Sequence, residues 1–222
     1  MHDVLKQLDL ITNKVNDIIN TKQLKTKPKI IAVTKTFPMD KITPLLESGH
    51  IHFGENKLQE AEDKWLNVKS NYKHCRLHMI GKLQSNKAKK AVKLFDYIHS
   101  LDNEKLASKI FQYQKELNKS VSLFIQVNLA NETQKSGITL RELDNFYNYC
   151  TKELSLNIIG LMCLPPLDTN SEKYFKTIEK SAHNLNLSDL SIGMSSDYEK
   201  ALLYGSTYLR LGTVLMGERK AI

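Results

Sequence analysis

The sequence lacks most features that would place it outside ordinary globular proteins. No apolar run approaches the roughly 20 residues that a membrane helix needs, and Met1-His2-Asp3 does not open a basic and then apolar leader. Cysteine is scarce: Cys75, Cys150 and Cys163 are odd in number and never spaced C-x-x-C. Neither a disulfide framework nor a zinc knuckle is indicated, and these residues read as buried small hydrophobes. The expected setting is cytoplasmic. Arginine is also rare. Only Arg76, Arg141, Arg210 and Arg219 stand among the 32 basic residues, so the formal charge of +8 rests on lysine. Arginine is the side chain that forks onto phosphate and guanine, so its scarcity argues against base-specific nucleic-acid reading. Internal repeats, low-complexity tracts and linkers are missing too.

What is present is 222 residues with 41% hydrophobic and 25% charged side chains, the balance of a globular protein. A chain of this size buries roughly 70% of the surface its unfolded form exposes. Short apolar, β-branched runs recur at 29–34, 50–53, 76–80, 95–100, 121–128, 158–163, 190–194 and 207–211. Amphipathic segments separate most of them, at 39–48, 56–68, 86–94, 103–118, 140–154, 170–185 and 196–204. Strict strand and helix alternation implies parallel strands joined by crossovers, and eight units imply a closed barrel. The expected fold class is therefore α/β, a single (β/α)8 TIM-type barrel over 1–222. An extra N-terminal helix over 1–20, with Val4, Leu8, Ile11, Val15 and Ile18 at helical spacing, would cover the barrel's end or side.

In such a barrel, binding and catalytic groups sit at the C-terminal ends of the strands. Lys35 directly follows K-I-I-A-V-T in phase with Ile31 and Val33, so its side chain should point where two buried aliphatics point. Burial lowers a lysine pKa and supplies the neutral amine that Schiff-base chemistry requires; a strand ending one residue early would instead leave Lys35 solvated. Near the C-terminus, Ser195 and Ser196 precede a helix, with Glu199 at capping-box spacing from Ser196. Gly212 would let another backbone approach closely, and Thr213 offers a hydroxyl and an amide at the start of a short final helix. Loops after the seventh and eighth strands are the frequent phosphate site of this fold. Asn56 and Asn86 read as helix caps. His50-x-His52 puts two imidazoles on one strand face, yet no further ligand set completes a metal site, and none is expected. The lysine run from Lys87 to Lys93 needs no role beyond a solvated helix face.

The segments A-V-T-K, F-G-E-N-x-x-Q-E, H-M-I-G-K-L-Q-S-N-K, Q-V-N, G-L-M and G-M-S-S-D-x-x-x-A-L-x-x-G-S-T-x-L-R-L-G-T occur in order over nearly the whole chain. This set closely resembles the YggS/PROSC family of pyridoxal-phosphate-binding proteins, also called PLP homeostasis proteins, whose barrel is related to the alanine racemase N-terminal domain. The resemblance implies pyridoxal 5'-phosphate (PLP) as cofactor, carried as a Schiff base on Lys35. It further implies Ser195, Gly212 and Thr213 as phosphate holders with Ser196 helping, Arg210 as partner of the pyridine nitrogen, and Asn56 and His78 as pocket lining. Glu55, Lys57, Gln84 and Lys87 carry no assigned role. Lys57, Met79 and V-L-M-G depart from the family pattern without touching the lysine or the phosphate set.

Arginine at the ring nitrogen should keep it unprotonated, which supports carbanion formation poorly. The second domain that supplies the opposite acid/base in alanine racemase-like enzymes is not expected here. The expectation is a monomeric PLP carrier in intracellular homeostasis with little turnover. Free amino acids and PLP-dependent apo-enzymes are its expected contacts, without nucleic acid or membrane. The competing readings are a PLP-dependent racemase, a cofactor-free Schiff-base lyase and a lysine-rich nucleic-acid binder.

Overall fold

A computed structural model describes residues 2–130, 132, 136–166 and 170–218 of the chain. Eight strands run β1 Lys29–Val33, β2 His52–Glu55, β3 Arg76–Met79, β4 Tyr97–Leu101, β5 Ser122–Val127, β6 Ile158–Cys163, β7 Asp189–Met194 and β8 Tyr208–Leu211. They close in sequence order into a barrel, with β1 parallel to β8. Helices α1 Asp3–Lys22, α2 Met39–Glu47, α3 Leu58–Trp65, α4 Ala88–Leu94, α5 Glu104–Leu117, α6 Leu143–Asn148, α7 Ser171–Asn184, α8 Tyr198–Leu202 and α9 Thr213–Met216 complete the chain. The (β/α)8 expectation holds. Among the described residues no helix is long and apolar enough to cross a membrane.

Helix α1 buries Ile11 and Val15 and lies against α2, α8 and α9, so it covers the side of the barrel where β1 meets β8. The main core sits between the barrel and its helices, with Phe53, Trp65, Phe95 and Phe175 fully buried. In α5, Asn103 Oδ1 accepts from Leu106 N at 2.9 Å at the head, and Asn118 closes the helix through its backbone N–H in the left-handed region at φ 46°. The segment expected as one helix over 140–154 is α6 followed by a π-helical stretch, Tyr149–Glu153.

Two differences from the sequence reading matter for function. Strand β2 lies two residues later than expected, because the polar pair Gly54-Glu55 is inside the fold. Gly54 pairs with His78, and a Cβ there would sit 2.8 Å from Ile31 Cγ2. Glu55 is fully buried because its carboxylate has partners. The second difference is the barrel interior. Among the described residues, Ile31, Phe124, Met162 and Tyr208 form a small apolar cluster there with Tyr97 and Ile159 packed against it, where this fold is ordinarily packed with branched aliphatics.

Candidate functional site

The C-terminal mouth of the barrel holds a cavity of about 830 Å³ whose lining includes Lys35, Asn56, Ser195, Ser196, Arg210, Gly212 and Thr213. That volume lies within the range of small-molecule sites. Seven of the eight expected site residues therefore converge on one cavity. The exception is His78, which the resemblance places in the lining. It is fully buried inside the barrel, where its partners are His52 and His99. Its inward direction follows from pairing with Gly54, but the cavity floor at this strand is Ile80, two residues further up.

Lys35 stands two residues beyond the end of β1, and both Val33 and Lys35 line the cavity, so the phase read from the sequence holds. Its turn is braced from behind. Lys64 Nζ, on α3, donates to Thr34 O at 2.8 Å and lies 2.7 Å from Glu55 Oε1 and 2.9 Å from Glu60 Oε1. The same Glu55 oxygen accepts from Thr34 Oγ1 at 2.7 Å and from Trp65 Nε1 at 3.0 Å. Beyond Lys35, Thr36 occupies the left-handed region at φ 66°, which a β-branched residue adopts only when held. Its amide donates to Glu60, whose carboxyl is kept below its ordinary pKa by Lys64 and that amide, against the opposing effect of its burial.

At the seventh and eighth strands, Ser195 Oγ accepts from Gly212 N at 3.1 Å and from Val214 N at 3.3 Å. Its hydroxyl proton remains available to donate. The capping box between Ser196 and Glu199 does not form, because α8 begins at Tyr198 with Asp197 in the capping position. Asp197 Oδ1 instead accepts from Met194 N at 2.7 Å and holds the end of β7. Gly212 admits no second backbone either. The nearest atom to a Cβ there would be Val33 Cβ at 3.8 Å, so its missing side chain leaves space in the cavity.

Arg210 is 4% exposed. It pairs with Ile31 of β1 and Met194 of β7, which directs it inward. Its guanidinium donates to Ser191 O, to Ser191 Oγ at 2.6 Å and to Cys163 O at 3.0 Å. Burial lowers its pKa to about 10, which leaves it cationic at neutral pH. Across the cavity, Asn56 is packed against Gly81: a Cβ on Gly81 would stand 2.2 Å from Asn56 O. Asn56 and Asn86 are not caps, since α3 and α4 start after Lys57 and Lys87. Lys57, Gln84 and Lys87 border a smaller adjoining hollow of about 370 Å³ that shares Asn56 and Lys82 with the main one.

The sequence reading missed Gln126, Ile80 and Lys82 in the lining. Gln126 was detectable. It lies in phase with Phe124 on β5, and its amide donates to Ser136 O at 2.9 Å. The site thus joins two primary amines, Lys35 and Lys82, one buried guanidinium and a set of hydroxyl and amide groups.

Comparison with known proteins gives the family. Residues 7–220 match the family model described as alanine racemase, N-terminal domain. The chain is 38% identical over 200 residues to a pyridoxal phosphate homeostasis protein of Synechocystis sp., covering 86% of this chain and 91% of that one. With the pyridoxal phosphate homeostasis protein of Escherichia coli K12 it shares 32% over 199 residues, 86% of this chain and 85% of that one. Among solved structures, PipY of Synechococcus elongatus with PLP bound matches at TM-score 0.80 and 33% identity, over 91% of this chain and 100% of that one. An alanine racemase of Clostridium difficile has the same fold, at TM-score 0.71 and 14% identity over 96% of this chain and 56% of that one. By barrel, motif order and relatives, this chain belongs to the pyridoxal phosphate homeostasis protein family, built on the alanine racemase N-terminal domain.

Proposed function

We propose that the chain binds pyridoxal 5'-phosphate reversibly in the mouth cavity and serves intracellular PLP homeostasis, with Lys35 as the attachment amine and little turnover of its own. The observation that carries this reading is the convergence on one cavity of Lys35, Arg210 and the Ser195 hydroxyl, which the Gly212 and Val214 amides hold in place. The residues fit the group. The Ser195 and Thr213 hydroxyls in the lining suit a phosphate, the space at Gly212 admits it, and a primary amine suits an aldehyde.

When bound, PLP supplies an aldehyde that a lysine amine can capture and a ring that withdraws electrons from what is attached to it. The chain's own residues set limits on that chemistry. Arg210 is cationic and acts only as a donor, so a ring nitrogen placed against it would be held as an acceptor. Besides Lys35, the described lining residues include Lys82 and Glu218, side chains that can move a proton, so low turnover rests on Arg210. Glu55, Lys64 and Glu60 hold the turn that presents Lys35. Binding and orientation are what these residues support.

The test is an absorbance titration of the purified protein with PLP, beside Lys35→Ala. A visible band in the wild type that is absent in the variant supports the reading, and no band in either defeats it. Fast stereospecific exchange of an amino-acid α-proton by the wild type would refute the low-turnover part.

A further inference from the structure

Beneath the cavity, a continuous line of polar side chains runs through the barrel. Arg210 Nη1 lies 2.6 Å from Ser191 Oγ, which lies 2.8 Å from His99 Nδ1. His99 Nε2 is 2.9 Å from His78 Nδ1, and His78 Nε2 is 2.9 Å from His52 Nδ1. Ser191, His78 and His99 are completely buried. His52, at the start of β2, is half-buried near Lys29 and Arg76 at the opposite end of the barrel. Aliphatic layers would fill this space without any desolvation cost. Three imidazoles here call for an explanation.

Elementary valence gives the line a direction. Arginine only donates, so Ser191 Oγ accepts from Arg210, and its own proton goes to its other partner, His99 Nδ1. A neutral imidazole has one N–H and one lone pair. His99 therefore carries its proton on Nε2 and donates to His78 Nδ1, and by the same rule His78 donates from Nε2 to His52 Nδ1. One permanent charge orients four successive hydrogen bonds. Burial and the charge of Arg210 hold His99 well below its ordinary pKa, and burial and the neighbouring histidines do the same for His78. The rings are also locked in place: His78 stacks on Tyr97 at 4.3 Å and 8°, and His99 on Phe124 at 4.2 Å and 18°.

We propose that Ser191, His99, His78 and His52 form a one-way hydrogen-bond relay that holds the Arg210 guanidinium from inside the barrel, making Ser191 and His99 positioning residues for Arg210. A hydroxyl that donates is a stronger acceptor in turn, so the histidines tighten the Arg210–Ser191 bond. With Nη2 tied to Cys163 O, the guanidinium cannot swing, and its remaining N–H edge is left for the cavity that it lines. The consequence for a bound ring nitrogen rests on the functional reading above; the relay itself does not.

The experiment begins on protein without added PLP. Long-range ¹H–¹⁵N spectra of histidine-labelled wild type at pH 7, assigned with single His→Gln variants, should show His52, His78 and His99 neutral and protonated on Nε2. Ser191→Ala should move His99 toward the Nδ1–H form, and Ser191→Thr should restore the wild-type pattern. A proton on Nδ1 of His78 or His99 in the wild type would overturn the relay, as would an unchanged His99 in Ser191→Ala. The wild-type spectrum decides the direction even if a variant fails to fold. For positioning, Ser191→Ala should weaken PLP binding about tenfold, the worth of one hydrogen bond to a charged group, with recovery in Ser191→Thr; unchanged affinity would overturn that role. Failure of the wild type to bind PLP would defeat the functional reading instead, and the tautomers, measured without cofactor, would still decide the relay.

Discussion

Replacing Lys64 with methionine should reveal how far the Lys35 turn depends on its brace. Lys64 is 11% exposed and its ion-pair partner Glu55 is not exposed at all. In Lys64→Met the Glu55 carboxylate keeps two neutral donors, Thr34 Oγ1 and Trp65 Nε1, and loses its cation. Glu55 Oε2 has no partner among the described residues even with Lys64 present. Removing one side of a buried ion pair costs about 3–5 kcal/mol. The two surviving donors place this site near about 3 kcal/mol, of which the more exposed Lys64–Glu60 pair accounts for no more than about 0.5 kcal/mol. For a chain of this length that corresponds to a Tm lower by about 6–12 °C. The double variant Glu55→Gln, Lys64→Met should recover about 1–2 kcal/mol, because the amide needs no counter-charge. Urea denaturation followed by circular dichroism measures both. A loss below about 1 kcal/mol in the single variant, or no recovery in the double, would refute the claim that charge pairing holds this turn.

Two further outcomes follow from the site and the barrel interior. Ser195→Ala removes the acceptor shared by the Gly212 and Val214 amides and one donor to the proposed phosphate, so PLP should bind roughly 10- to 100-fold more weakly; an unchanged dissociation constant would remove Ser195 from the phosphate set. The buried histidines make stability acid-sensitive. Burial lowers the pKa of His50 and of His52 to about 4, and places His78 and His99 well below the ordinary value. Between the ordinary value of 6.5 and about 4 the unfolded chain therefore binds more protons than the folded one. Stability should be full above that window, fall steadily through it, and stop falling on account of His50 and His52 below it. A urea midpoint that stays flat from pH 7 to pH 5 would contradict this.

Lys35 and Gln126 show what a sequence can reveal about such a site, and His78 and Glu55 show where it stops. Alternation along a strand is local, so the inward direction of Lys35 could be read from Ile31 and Val33 and is what the structure shows. The same rule reaches Gln126 through Phe124. Depth along the barrel axis is different, because it depends on the register of neighbouring strands, set by pairings such as Gly54 with His78. His78 could therefore be read as inward but not as lying below the cavity. Glu55 was harder still. A carboxylate at a strand end reads as solvent-facing unless its cation is known, and here the cation comes from Lys64, on the next helix. The histidine relay has the same origin: His52, His78, His99 and Ser191 lie on four strands, and only barrel closure brings β7 and β8 beside β2, β3 and β4 closely enough to join them. What the chain reveals of itself is thus the direction of each side chain. What it withholds is which directions meet, and in this protein those meetings turn a packed barrel into a site held from beneath.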